Sequence, residues 1–295
     1  MIEVESKRVI LPRSAYTRAM PIVESWDRQF AARSAMFAPL RALNAAVDGI
    51  DWPAPAQLNA LARSSAALSG GGQPLHFASL SGQPAPAAAH YELRIHDEGV
   101  VPLREANWHD LFNALVWLAF PQTKAALNRA HACELRGISA MVRNRRRDAL
   151  TLFDESGVLV LSRSPAMLDL IRTFGWKQVF WQARETLLLT TRFVVFGHAL
   201  YAKALSPYVG MTGHALLLAV SDDTDLAPAP LMAQADVLAA AAIDARMTQP
   251  HDLSPLPVLG VPGWWEANAH AAFYDNIAYF RPGRRAHPRT SGGPR

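Results

Sequence analysis

Cysteine is nearly absent from this 295-residue chain. Cys133 stands alone, which excludes an intrachain disulfide and any zinc site built from several thiolates. Its neighbours Ala130, Ala132 and Leu135 predict a buried small hydrophobe there rather than a nucleophile. Lysine is scarce as well: Lys7, Lys124, Lys177 and Lys203 are the full set, and arginine supplies the rest of the 29 basic residues. No clean apolar span is present. The longest candidate, TLLLTTRFVVFGHALYAKAL, is broken by Arg192 and His198, whereas a membrane helix needs about 20 apolar residues. It reads as a buried helix, and the protein is expected in the cytoplasm with no membrane partner. The opening MIEVESKRVILPR mixes charges with apolar residues and does not read as a secretion signal.

Familiar motifs are missing too. There is no GxGxxG after a strand, no GxxxxGK[ST], no GxSxG, no CxxC and no HExxH. Dinucleotide, P-loop, hydrolase-elbow and thioredoxin readings therefore have no support. The formal charge of +4 is local. Beyond Asp275 come Arg281, Arg284, Arg285, Arg289 and Arg295 without an acid, so the body of the chain is near neutral. That tail has the composition of a disordered, solubilising end, and a nucleic-acid role for it is not the favoured reading.

What is present is an ordinary globular composition, half apolar and 18% charged, long enough to bury a sizeable core. The pattern predicts an N-terminal helical part over 1–68, with two helices between Pro21 and Val47 interrupted near Pro39, then a flexible linker or loop over 69–90. A main α+β core is expected over 91–282 and a disordered basic tail over 283–295. The core is expected to be mostly helical, with two β-hairpins and an additional buried strand. The hairpins are placed at 91–101, turning at Asp97-Glu98-Gly99, and at 148–161, turning at Asp154-Glu155-Ser156-Gly157. Helices are expected over 107–120, 122–136, from Ser164-Pro165 to about Phe174, from Lys177 to Leu205 with a bend near Gly197, and over 232–247. HALLLAV (214–220) reads as the buried strand.

The most informative segment is NWHDLFNALVWLAF, 107–120. On a helical wheel His109, Asn113, Trp117 and Phe120 fall within a sector of about 80°, with Asp110 just beyond. A solvated face would carry Lys, Glu or Arg, and this segment has none of them. Short polar groups framed by aromatics suit the protein interior, as a satisfied core network in the simpler case or as a ligand, metal or catalytic site in the other. Lys124, Asn128 and His131 form a second stripe on the next helix. An antiparallel pairing of the two helices would return His131 toward His109 and Asp110. His198 sits inside an apolar run, where a structural role is the commoner one, with Gly197 allowing another backbone to approach closely. Asp154 lies near the basic run Arg143 to Arg147.

The blocks NWHDLFNALVWLAFP, KAALNRAH, RRRDALTLFDESG, FGHALYAKAL, LPVLGVPGWWEAN and FYDNIAYFRP, in that order, resemble an uncharacterised proteobacterial domain-of-unknown-function family over roughly 90–282. The resemblance implies a bacterial cytoplasmic protein. It carries over no activity, cofactor or site residue.

Two expectations follow. In the first the protein is an enzyme of hydrolytic type with a His/Asp/Asn-lined pocket, whose walls include the C-terminal aromatic strap. His109, Asp110, Asn113 and His131 are its catalytic candidates, and its cofactor, if any, is a divalent metal drawing on His109, His131, Asp154 and His198. Its partner is then a small molecule. In the second, the same groups form a buried structural network in a non-catalytic protein that binds another protein. Convergence of His109, Asn113, His131 and His198 on one open cleft favours the first.

Overall fold

The computed structural model describes residues 25–47, 49–80, 87–137 and 144–283. The basic tail from 284 onward and the residues before 25 lie outside that description. In chain order the elements are α1 (Arg41–Ala46), α2 (Pro55–Ser64), β1 (His76–Ser79), α3 (Ala88–Glu98), β2 (Val100–Leu103), α4 (Trp108–Ala119), α5 (Pro121–Arg136) and α6 (Arg145–Ser156). There follow β3 (Gly157–Ser162), α7 (Pro165–Arg172), α8 (Arg184–Thr190), β4 (Thr191–Val195), α9 (His198–Ala204), β5 (Thr212–Ala219), α10 (Pro228–Arg246) and β6 (Ser254–Pro257). The fold is α+β, with more helix than strand.

GVLVLS forms β3, and all six of its residues are buried. A strand apolar on both faces belongs in the middle of a covered sheet, and β3 occupies that place in the order β4-β3-β5-β6. It pairs antiparallel with β4 and parallel with β5, while β6 closes the edge antiparallel to β5. A second, two-stranded sheet joins β1 and β2 in parallel, and α3 forms the crossover that parallel pairing requires. Within the stretch expected as a flexible linker or loop, His76–Ser79 forms the paired strand β1; residues 81–86 lie outside the described part.

Neither expected hairpin forms. Tyr91, Leu93 and Ile95 alternate by coincidence of composition, and the segment is the helix α3, which buries Ile95 and ends on Gly99 at φ 71°. That left-handed C-terminal cap is what Asp97-Glu98-Gly99 encodes. In the second case Ala149, Leu150, Phe153 and Ser156 are buried at helical spacing, and Asn144 caps the start by accepting the Arg147 N–H. The helix α6 therefore runs through DES before the chain turns into β3.

The expected long helix 177–205 is also divided. Thr190, Thr191, Val194 and Val195 are β-branched and disfavour helix, and β3 offers an edge for them to pair with. A short π-helical turn, α8, β4 and α9 replace the single helix. Cys133 is exposed rather than buried, on the outer side of α5. No helix among the described residues is long and apolar enough to cross a membrane.

Candidate functional site

α4 begins where Asn107 accepts the Asp110 N–H at 3.0 Å, and buries Leu111, Phe112, Leu115 and Trp117. This orientation leaves His109, Asp110 and Asn113 facing a cavity of about 330 Å³. His131 of α5 enters the same cavity, as do Asp154 from the last turn of α6 and His198 from the start of α9. All six side chains singled out from the sequence thus share one wall system. The C-terminal strap does not join them. Its Asn268, Tyr274 and Tyr279 bond to the backbone of Leu259, Gly260 and Met211 instead, knitting the strap to itself and to the start of β5.

Arg147, Thr151, Asp154 and Glu155 also line the cavity, a stripe at i, i+4, i+7 and i+8 that exists only because α6 is a helix. Glu155 is the residue that sequence reasoning missed. In DESG it looks like turn chemistry, and only the buried positions of Phe153 and Ser156 reveal the helical turn that aims it inward.

The placement of His198 depends on a glycine. The N–H groups of Phe196 and Gly197 both donate to Gly157 O, at 3.0 and 2.9 Å. A Cβ on Gly197 would lie 2.4 Å from Gly157 N and 2.5 Å from Glu155 O. The end of β4 therefore rests directly on the α6–β3 junction, and His198 is delivered next to Glu155.

The two histidines are arranged alike. His109 Nε2 lies 3.6 Å from Glu155 Oε2, and its Nδ1 is 3.3 Å from Asp110 Oδ1. His198 Nε2 lies 3.7 Å from the same Glu155 oxygen, and its Nδ1 is 3.7 Å from Asp154 Oδ2. The rings meet edge to face with centroids 4.5 Å apart. His109, Glu155 and His198 each offer one ligand atom, all within 4.8 Å of one another. Each imidazole thus has an aspartate at its back and the shared glutamate in front. His198 is nearly inaccessible, and its Nδ1 is buried with no hydrogen-bond partner.

Both aspartates are themselves held. Arg104 binds Asp110 through a two-pronged contact at 2.6 and 2.9 Å, with its own backbone N–H adding a third bond. Lys124, 4% exposed, donates to Asp154 at 2.6 Å and to Asn113 Oδ1 at 3.0 Å, beneath the Trp117 ring. Asn113 passes a bond at 2.6 Å to the Tyr91 hydroxyl.

These contacts set the protonation states. The His109 pKa is pushed up to about 9 by Asp110 first and Glu155 next, against the opposing effect of burial. Contact with His109 in turn holds Glu155 below its ordinary range. Burial drives His198 down to about 4, so it is a neutral imidazole near pH 7. For Asp154 burial alone would raise the pKa, but Lys124, His198 and His131 outweigh it and keep the group ionised. Arg104 and His109 do the same for Asp110.

A family model described as "Protein of unknown function (DUF3025)" matches residues 75–284, well over half of the chain. The chain belongs to that family. The DUF3025 match takes in every cavity-lining residue from Leu80 to His198. No curated protein and no solved structure is found to match the chain.

Proposed function

We propose that the protein is a metal-assisted hydrolase, with one divalent ion held by His109, Glu155 and His198. The observation that carries this reading is the paired arrangement of the histidines, each with Nε2 toward Glu155 and Nδ1 toward a separate aspartate. Histidine ligands of hydrolytic metals commonly have a carboxylate behind the far nitrogen, which fixes the tautomer and raises the basicity of the ligating one. Two histidines and one glutamate leave a coordination position open for water. An ion on His198 Nε2 would place the ring proton on Nδ1, the buried atom that faces Asp154 Oδ2 at 3.7 Å.

In this reading the ion acidifies a bound water. His131, the cavity imidazole outside the ligand set, takes the proton as the water oxygen bonds to the substrate's electrophilic centre. It returns that proton to the leaving group as the scissile bond breaks. Asp110 and Asp154 position the ligands, and Lys124 and Arg104 hold the two aspartates ionised. The cytoplasm of a bacterium as the working compartment, and a small molecule as the partner, belong to the same proposal. The lone free thiol and the modest cavity support them.

The test is metal analysis of protein purified without chelator, followed by cobalt titration. About one equivalent per chain is expected, with Glu155→Gln and His198→Ala each lowering affinity by more than tenfold. Asp110→Asn is expected to lower it by about 10- to 100-fold, the range seen when such supporting carboxylates are removed. A folded wild type that takes up no cobalt would refute the reading. The competing reading, a purely structural network, draws on the Asp154–Lys124–Asn113–Tyr91 chain, which is well bonded without any ion.

A further inference from the structure

The hydrogen-bond chain that ends at Tyr91 has a direction, and Lys124 sets it. Paired with Asp154 at 2.6 Å, the Lys124 ammonium can only donate. The Asn113 atom facing it at 3.0 Å must therefore be the acceptor, Oδ1, which fixes the amide orientation. Nδ2 then points the other way and donates to the Tyr91 oxygen at 2.6 Å. Tyr91 is the acceptor in that bond, so its own proton is not used there. No acceptor for it is found among the described residues, and Tyr91 lines the cavity.

We infer that Tyr91 is a catalytic residue of the proposed hydrolase, presenting its O–H to the carbonyl oxygen of an uncharged acyl substrate, an amide or an ester. The inference rests on the metal reading above. Charge in and around the cavity selects the substrate class. Glu92, Asp110, Asp154 and Glu155 face three fixed cations, Arg104, Arg147 and the underlying Lys124. A divalent ion with its water, or with hydroxide once His131 holds the proton, brings the loaded site to a single surplus positive charge. A phosphate dianion would not be neutralised there, and the fork of Arg104 already engages Asp110. A neutral phenol that donates one hydrogen bond suits an acyl carbonyl, whose oxygen gains charge as hydroxide adds to the carbon. The new C–O bond forms at that carbon, the carbonyl oxygen becomes the oxyanion held by Tyr91, and collapse expels the amine or alcohol with the proton from His131.

The test uses cobalt-loaded protein and acetohydroxamate as the acyl probe, followed by the visible cobalt spectrum. Tyr91→Phe is expected to bind cobalt as the wild type does and acetohydroxamate about tenfold more weakly, the loss of one net hydrogen bond. Asn113→Asp supplies the second arm. An aspartate at 113 still accepts from Lys124 but would draw the Tyr91 proton toward itself, so acetohydroxamate affinity should fall although the hydroxyl is still present. Equal probe affinity in wild type and Tyr91→Phe overturns the role of Tyr91, and equal affinity in Asn113→Asp overturns the directional argument. Inorganic phosphate binding more tightly than acetohydroxamate to the loaded wild type overturns the acyl assignment. If the wild type takes up no cobalt, the metal reading fails and this inference with it.

Discussion

His109 of α4 and His198 of α9 are far apart in sequence and 4.5 Å apart as rings, yet their proton affinities diverge in opposite directions. His109 is half-exposed and braced by two carboxylates. Its folded pKa of about 9 lies above the ordinary 6.5, so its proton stabilises the fold fully below pH 6.5 and progressively less as pH rises through 9. His198 is buried and held at about 4, below 6.5, so its contribution is present above pH 6.5 and is lost as pH falls through about 4. In metal-free protein the His109 ring resonances are therefore expected to titrate near pH 9 by NMR. Asp110→Asn should bring that midpoint down toward 6.5, because Asp110 is its largest support. A midpoint unmoved by the substitution would remove Asp110 from the account. A bound ion must displace the His109 proton, so cobalt uptake should release protons and weaken as pH falls.

At the scale of elements, the α6–β3 junction and the start of α9 form a single joint through Gly197. A methyl group there meets three backbone atoms of residues 155–157 at 2.4 to 2.5 Å, and none of them can swing aside as a flexible side-chain end would. Gly197→Ala is expected to cost about 1–3 kcal/mol of stability, the usual range for overpacking. It should also lower cobalt affinity by moving His198 away from Glu155. Urea unfolding and cobalt titration check the two parts, and wild-type cobalt affinity in the variant would show that the joint does not set the ligand geometry.

The same joint shows what could and could not be read from the sequence. The polar face of α4 was legible, because a helix with His, Asp and Asn but no Lys, Glu or Arg has no other use for them than an interior. The close approach at Gly197 was legible from a glycine beside a histidine in an apolar run. Glu155 was not, since DESG satisfies turn rules as well as helix rules, and only tertiary burial of Phe153 and Ser156 decides between them. Nor was Tyr91, whose alternation with Leu93 and Ile95 mimics a strand. Local periodicity over five residues carries too little information to separate the two, and packing against α5 and β2 settles it.

At the scale of the whole molecule, the matched family region starts at residue 75, but the packing does not. Phe30 and Phe37 are both fully buried against Phe112 of α4, Phe30 edge to face and Phe37 stacked, and Phe37 also stacks on Tyr201 of α9. Asn59 of α2 bonds both backbone groups of Phe77 in β1. The helices that carry His109 and His198 are thus packed from behind by residues 30–62. A chain beginning at Leu75 would uncover Phe112 and Tyr201, and it is expected to show no cooperative urea transition. A sharp transition at the wild-type midpoint would establish the matched region as a folding unit by itself.

One part of that backing has an optical consequence. Trp26, Trp52 and Trp108 come from three separate segments, and their ring centroids lie 4.9 to 5.4 Å apart. Indoles that close share their electronic excitations, so the trio should behave as one coupled chromophore with a paired, opposite-signed band in ultraviolet circular dichroism. That band exists only while the N-terminal segments are seated on α4, which makes their docking visible in solution without a label.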